Sequence, residues 1–140
     1  MNFIQSISTC MRKYVTFSGR ATRSEFWWFC LFSVLVNLAT TSQAPSFVPV
    51  ILETKDMTAH ESSYFLNNFF FLYLSTITSL ILLLPSLAVA VRRLHDVGRS
   101  GWWILIAFTV IGIIPLLIWY VTDTKDEENV YGPNPKTEVN

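Results

Sequence analysis

Charged residues are distributed very unevenly along the chain. Three long stretches, residues 26–52, 62–91 and 100–122, contain no Asp, Glu, Lys or Arg. A hydrocarbon core about 30 Å thick is crossed by about 20 apolar residues in an α-helix. A helix of a soluble protein would show a polar face at a spacing of three to four residues, and these stretches show none. The pattern therefore predicts an all-α integral membrane protein with three transmembrane helices, at about 26–42, 69–91 and 102–121.

The segments between and before these spans are more polar. Residues 2–15 place apolar and polar side chains on opposite helical faces, which predicts an N-terminal amphipathic helix. This helix lies in the headgroup region or is docked against the helix bundle. Residues 43–64 are predicted to form a loop. Its apolar part, residues 44–52, is too short to cross the bilayer as a helix, and re-entry into the membrane is the alternative there.

Local signals mark several helix ends. Thr22 and Glu25 have the spacing of a capping box at the start of the first span. The second span is predicted to continue past the bilayer to Gly98, since glycine favours the left-handed position that closes a helix. Ser100 can cap the third span, which Gly112 and Pro115 are expected to bend.

Basic residues are concentrated on one predicted side of the membrane. The chain has ten basic and ten acidic residues, so net charge gives no argument for a nucleic-acid partner. Seven of the ten basic residues precede the first span or lie between the second and third: Arg12, Lys13, Arg20, Arg23, Arg92, Arg93 and Arg99. The positive-inside rule therefore predicts a cytoplasmic N-terminus and, with three spans, an acidic tail (123–140) on the periplasmic side.

The densest polar cluster is RRLHDVGRSGWW, residues 92–103. On a helix Asp96 is within reach of Arg92 at i+4 and of Arg93 at i+3. Because arginine can hold a carboxylate bidentately, we expect a charge network that fixes the first span against the second. The remaining positive charge would bind an anionic lipid headgroup. The candidate site residues are Arg20, Arg23, Glu25, Arg92, Arg93, His95, Asp96 and Arg99.

Two other function classes are weighed against this one. A membrane enzyme would use His95 as an acid–base group tuned by Asp96, but no nucleophile motif, metal-ligand set or phosphate-binding glycine loop accompanies them. No cofactor or metal is expected, and the two cysteines, Cys10 and Cys30, are predicted to be free thiols. A transporter or channel would need an oligomer and a polar stripe such as Asn37 with the Ser/Thr row of the second span.

Three motifs resemble a known family. They are FSGRATRSEFWWF (17–29), RRLHDVGRSGWW (92–103) and NVYGPNP (129–135), in that order. Across residues 14–136 the chain is similar to the DUF805 family, the small YhaH-like bacterial inner-membrane proteins of unknown function. The resemblance implies location in the bacterial inner (plasma) membrane and carries over no activity.

The sequence therefore predicts one membrane domain over residues 1–140. The leading hypothesis is a non-enzymatic structural or interaction protein that contacts anionic lipid or a partner protein through the cytoplasmic arginine cluster. The alternative is a subunit of an oligomeric transporter or channel.

Overall fold

The computed structural model describes residues 1–41, 59–124 and 127–137. Their secondary structure is mostly helical, which confirms the predicted class. The helices are α1 (Phe3–Arg12), α2 (Arg23–Thr41), α3 (Ala59–Asp96), a 3-10 helix (Gly101–Phe108) and α4 (Ile113–Val121); two short antiparallel strands, β1 (Glu128–Asn129) and β2 (Gly132–Pro133), follow.

The chain forms two compact units. One contains residues 1–32 and 83–140, and the other contains residues 33–82. In the second unit Ser79 Oγ donates to Asn37 Oδ1 over 2.6 Å, and Asn37 Nδ2 donates to the Ser33 carbonyl. Much of the predicted loop 43–64, including the segment 44–52, lies outside the described residues. The candidate site lies entirely in the first unit.

Helix α1 is docked on the start of α2. Its Ser6 and Cys10 are fully buried, whereas Ile4 on the neighbouring face is exposed. The rings of Phe3 and Trp28 meet edge to face with centroids 5.6 Å apart. Of the two alternatives for this segment, the structure therefore shows docking, and it leaves the Ile4 face uncovered.

The ends of α2 and α3 largely follow the predicted caps. The Glu25 amide donates to Thr22 Oγ1 over 3.1 Å, so Thr22 caps α2. The reciprocal half of the predicted capping box is replaced, because the Glu25 carboxylate pairs with Arg92 instead. At the end of α3 Gly98 adopts a φ of 72° and its amide donates to the His95 carbonyl, which confirms the predicted glycine stop.

The third span, predicted as one helix bent at Gly112 and Pro115, is interrupted in the structure. Its two limbs, the 3-10 helix and α4, are separated by a turn in which the Gly112 amide donates to Thr109 Oγ1. A Cβ on Gly112 would come within 2.1 Å of the Ile106 carbonyl oxygen, so glycine permits a close approach that any other residue would obstruct. Residues 101–121 form an apolar hairpin rather than a rod.

The two limbs of this apolar hairpin contact each other. Trp103 in the first limb contacts Trp119 in the second, and the Arg99 guanidinium lies 5.2 Å from the centre of the Trp119 ring. The tail, which was predicted to lie apart from the basic cluster, contacts it in the structure, since Asn129 Nδ2 donates to the His95 carbonyl over 2.9 Å. Hydropathy depends only on how many apolar residues a stretch contains, so it cannot distinguish a hairpin in lipid from a membrane-spanning helix.

One helical segment among the described residues, Phe69–Asp96, is long and apolar enough to cross a bilayer. Most of its large apolar side chains are exposed. Exposed apolar residues also cover the turn of the hairpin, where Phe108, Val110 and Ile111 are each more than four-fifths exposed. Apolar surface of this extent is typical of a surface that meets lipid or a partner.

Candidate functional site

Asp96, in the last turn of α3, is the hub of a buried charge cluster. Its Oδ1 accepts from Arg20 Nε over 2.9 Å, and its Oδ2 accepts from Arg93 and from the Thr124 hydroxyl. The Arg20, Arg93 and Asp96 side chains are essentially inaccessible to solvent. One carboxylate therefore joins the segment before α2, the end of α3 and the segment after α4.

A second buried pair links α2 to α3. Arg92 Nη1 donates to Glu25 Oε1 over 2.6 Å, and the Cys10 thiol of α1 lies 3.7 Å from the same oxygen. A backbone hydrogen bond lies beside this ion pair: the Ala21 amide donates to the Arg92 carbonyl. The predicted contact of Arg92 with Asp96 is replaced by this one. Arg92 Nε and Nη2 are buried without a partner among the described residues.

Arg93 also caps the C-terminal end of helix α4. Its guanidinium donates to the carbonyls of Tyr120 and Trp119 over 3.3 and 3.4 Å and to that of Thr122. These carbonyls carry the partial negative charge of a helix C-terminus, which a buried cation stabilises. Arg93 thereby fixes the returning limb of the apolar hairpin to the end of α3.

The tail closes the cluster from outside. Arg20 Nη1 donates to the Gly132 carbonyl over 3.0 Å, and the Tyr131 ring stacks on His95 with centroids 3.9 Å apart. His95 Nδ1 lies 3.2 Å from the Gly19 carbonyl and donates to it. Residues 129–132, here called the strap, cover the RLHD sequence (93–96) at the end of α3.

The eight predicted site residues divide into three groups. Five are buried and mutually bonded, while His95 is half-buried at their edge. Arg23 and Arg99 lie outside the cluster: Arg23 forms a half-exposed ion pair with Asp123, and Arg99 stacks over Trp119. The buried five are Arg20, Glu25, Arg92, Arg93 and Asp96.

Sequence analysis missed the partners that the tail supplies. Thr124, Asn129, Tyr131 and Gly132 all contact the cluster, and the only signal of this was the NVYGPNP motif itself. The motif's turn-forming residues indicated an irregular segment but not what it covers.

A cavity of about 570 Å³ lies on the outer side of the cluster. Its walls come from the start of α2, the end of α4 and the tail; the lining residues are Met1, Thr22, Arg23, Ser24, Trp27, Val121 and Lys136. Lys136 Nζ donates to Asp123 Oδ1 over 2.6 Å, while Arg23 contacts the other oxygen of that carboxylate over 3.0 Å. Within the described parts of the chain, no group of three His, Cys, Asp or Glu is placed to hold a metal ion.

Cys10 is expected to be chemically silent in the folded protein. Burial, with Glu25 beside it, raises the pKa of this thiol to about 12. Because the thiolate is the reactive species, a thiol reagent at neutral pH should modify Cys10 at least about a hundredfold more slowly than a free cysteine. Maleimide labelling of Cys30→Ala, with and without denaturing detergent, measures this. Fast labelling of the folded protein would contradict the packing of α1.

The protein family that matches this chain and two of its relatives agree with each other. The family described as a protein of unknown function, DUF805, matches residues 14–133. The chain is 35% identical to the inner membrane protein YhaI of Escherichia coli K12 over 127 residues, which is 90% of this chain and 91% of that protein. It is 33% identical to the inner membrane protein YhaH of the same strain over 129 residues, 91% and 93% of the two chains. No solved structure matches.

The match covers every residue of the buried charge cluster, from Arg20 to Thr124, and the strap at 129–132. None of these relatives is named as an enzyme. The family description and the relatives' names agree on the class of protein and give it no activity. The chain therefore belongs to the DUF805 family of inner membrane proteins of unknown function.

Proposed function

We propose that this chain is a non-enzymatic inner-membrane protein that contacts anionic lipid at the cytoplasmic face through its exposed basic side chains. One observation carries the proposal: the arginines divide into a buried set and an exposed set. Arg20, Arg92 and Arg93 are paired inside the cluster and do not reach lipid. The second set is exposed or, for Arg23, half-exposed, and is called the exposed set: Arg12, Lys13, Arg23, Arg99 and Lys136.

The division assigns different physical roles to the two sets. A buried arginine without a partner is costly, so Glu25 and Asp96 are required for the helices to pack. An exposed basic residue beside a bilayer surface contributes about 1 kcal/mol of attraction to anionic lipid. The sequence hypothesis assigned lipid binding to the positive charge left over in the whole arginine cluster; the burial of Arg20, Arg92 and Arg93 supports assigning it to the exposed set.

The membrane topology we propose has two crossings and one apolar hairpin. Helices α2 and α3 cross, while residues 101–121 enter and leave the leaflet next to the charge cluster. The limbs of eight and nine residues are about 16 and 14 Å long, roughly half of a 30 Å hydrocarbon core. Nine of the ten basic residues, all except Lys55, then belong to segments at the cluster's face, so the positive-inside rule makes that face cytoplasmic.

The groups that an enzyme would use are already engaged. His95 uses Nδ1 on the Gly19 carbonyl and stacks on Tyr131. Asp96 accepts from two arginines and a hydroxyl, and these contacts block access to its carboxylate. A general acid–base role requires access to a substrate proton, so these contacts support the non-enzymatic proposal.

The transporter alternative remains a prediction. The polar residues in the second unit pair locally: Asn37 with Ser79, and Thr76 with the Leu72 carbonyl. Such bonds are typical of helix–helix packing in membranes. A stable oligomer in detergent would favour the transporter.

The test of the proposal is retention of anionic lipid. In nanodiscs that contain equal amounts of phosphatidylcholine and phosphatidylglycerol, the protein should enrich phosphatidylglycerol around itself. The triple variant Arg12→Gln, Lys13→Gln, Arg99→Gln should reduce that enrichment about tenfold or more, since three charges near the surface are removed. Lipid extracted with the protein and counted by mass spectrometry gives the measurement.

Lys55→Gln is the charge control, because residue 55 lies in the polar connection between the spans rather than at the cluster face. Its enrichment should equal that of the unmodified protein. Equal enrichment by the triple variant would overturn the proposal.

A further inference from the structure

We propose that the cavity at the start of α2, here called the Arg23 pocket, binds the phosphate of one anionic phospholipid. The pocket is lined by Thr22, Arg23, Ser24, Trp27, Val121 and Lys136, with Met1 at its edge. This inference rests on the proposed function, because it assigns one specific site to lipid that the exposed basic residues attract in general.

Two cations that line the pocket share one carboxylate, Asp123. Arg23 Nη2 and Lys136 Nζ contact different oxygens of Asp123 over 3.0 and 2.6 Å. These three side chains are nearly half exposed, so the arrangement can open towards solvent or lipid. A phosphate offers oxygens with the same charge and donor requirements, and it can replace Asp123 between the two cations.

Hydroxyl groups line the wall beside the cations. Ser24 Oγ and Thr22 Oγ1 are 3.1 Å apart in the first turn of α2. Ser24 Oγ is also 3.4 Å from the amino nitrogen of Met1. The cavity volume of about 570 Å³ is far above the roughly 10–15 Å³ that one water molecule requires, so a phosphate with its glycerol ester fits.

The remaining walls are apolar and indicate lipid rather than a free phosphate compound as the source. Trp27 and Val121 close the pocket, and Leu31 follows Trp27 one helical turn along α2 with a similarly exposed side chain. Residue 26 is where the charge-free stretch of the chain begins. The site thus joins phosphate-binding groups to an apolar path, and a tryptophan at that boundary is typical of the membrane interface.

Brominated lipid tests this arrangement directly, because bromine on the acyl chains quenches nearby tryptophan. In an uncharged detergent, brominated phosphatidylglycerol should produce saturable quenching that brominated phosphatidylcholine does not. Trp27→Phe should remove most of the quenched signal. Quenching that is unchanged by Trp27→Phe would place the lipid elsewhere and overturn the proposal.

Two variants with opposite expected effects test the charges. The double variant Arg23→Gln, Lys136→Gln should weaken phosphatidylglycerol binding at least tenfold, since two charge-assisted contacts are lost. Asp123→Asn keeps both cations and removes the competing charge, so binding should tighten about fivefold. Tighter binding by Asp123→Asn cannot come from a general loss of stability, because such a loss would weaken binding in both variants. Weaker or unchanged binding by Asp123→Asn would overturn the proposal.

Glycerol phosphate and inorganic phosphate distinguish the source of the ligand. Neither should displace the lipid at concentrations a hundredfold above it. Displacement would overturn the lipid assignment in favour of a soluble phosphate compound. The triple variant at Arg12, Lys13 and Arg99 leaves the Arg23 pocket intact, so undiminished general enrichment by that variant with retained quenching would refute the proposed function alone.

Discussion

Replacing Asp96 with alanine is expected to lower the free energy of unfolding by about 3–5 kcal/mol, because two buried arginines lose their common partner. Arg20 and Arg93 are almost inaccessible to water, so neither can recover its hydration without opening the fold. The Thr124 hydroxyl loses its acceptor as well. The strap and the end of α4 are held by the same two arginines, and both should loosen together.

The measurement is reversible unfolding in mixed micelles, followed by helical circular dichroism as denaturing detergent increases. Asp123→Ala is the matched control: it removes a carboxylate that also contacts two cations, but at the surface. Pairs of that kind contribute between 0 and 1 kcal/mol. Thr124→Ala, which removes one hydroxyl contact, should cost about 1 kcal/mol. Similar losses for Asp96→Ala and Asp123→Ala would contradict the role of Asp96 as a hub.

The cluster was partly predictable because helix spacing fixes which neighbours meet. The i,i+3 pair of Arg93 with Asp96 follows from position alone, and the structure forms it. Pairing between segments was expected in kind, and the structure pairs Arg20 with Asp96 and Arg92 with Glu25. The competition for Arg92 was not predictable, since Asp96 and Glu25 both lie within reach of a long side chain on a helix.

The apolar hairpin was not predictable from hydropathy for a different reason. In lipid, a crossing helix and a hairpin both expose apolar side chains, so residues 102–121 satisfy either arrangement. The reversal depends on Gly112 and Thr109, which close the turn through a close approach and a side-chain acceptor. Gly112 was expected to cause a bend; its distance to the Ile106 carbonyl shows why the chain turns back.

The arginines of the charged motifs differ in whether they can contact lipid. Arginines beside a membrane are often expected to face headgroups, yet burial shows that Arg92 and Arg93 face the protein interior. Their sequence neighbour Arg99 and the more distant Arg23 keep exposed positive charge. The same short motif therefore contributes both to packing inside the protein and to the charge of its surface, and only the burial of each side chain separates the two.

The tail is expected on the same side of the membrane as the N-terminus. Ser8→Cys in α1 and Thr137→Cys in the tail place thiols at exposed positions, and Ser46→Cys places one in the connection between the spans. In intact spheroplasts a membrane-impermeant maleimide should label Ser46→Cys alone. Inverted vesicles should reverse this, so that Ser8→Cys and Thr137→Cys are labelled and Ser46→Cys is protected.

The unmodified chain gives the background of Cys10 and Cys30, which are buried and partly buried. A fourth variant, Phe108→Cys at the turn of the apolar hairpin, should resist the reagent from both sides, since the proposed topology places this turn in the hydrocarbon. The three-span arrangement makes the opposite prediction for the tail: Thr137→Cys would be labelled in intact spheroplasts together with Ser46→Cys. That outcome would require the Asn129 and Arg20 contacts between the strap and the charge cluster to be absent in the membrane, and it would overturn the hairpin topology.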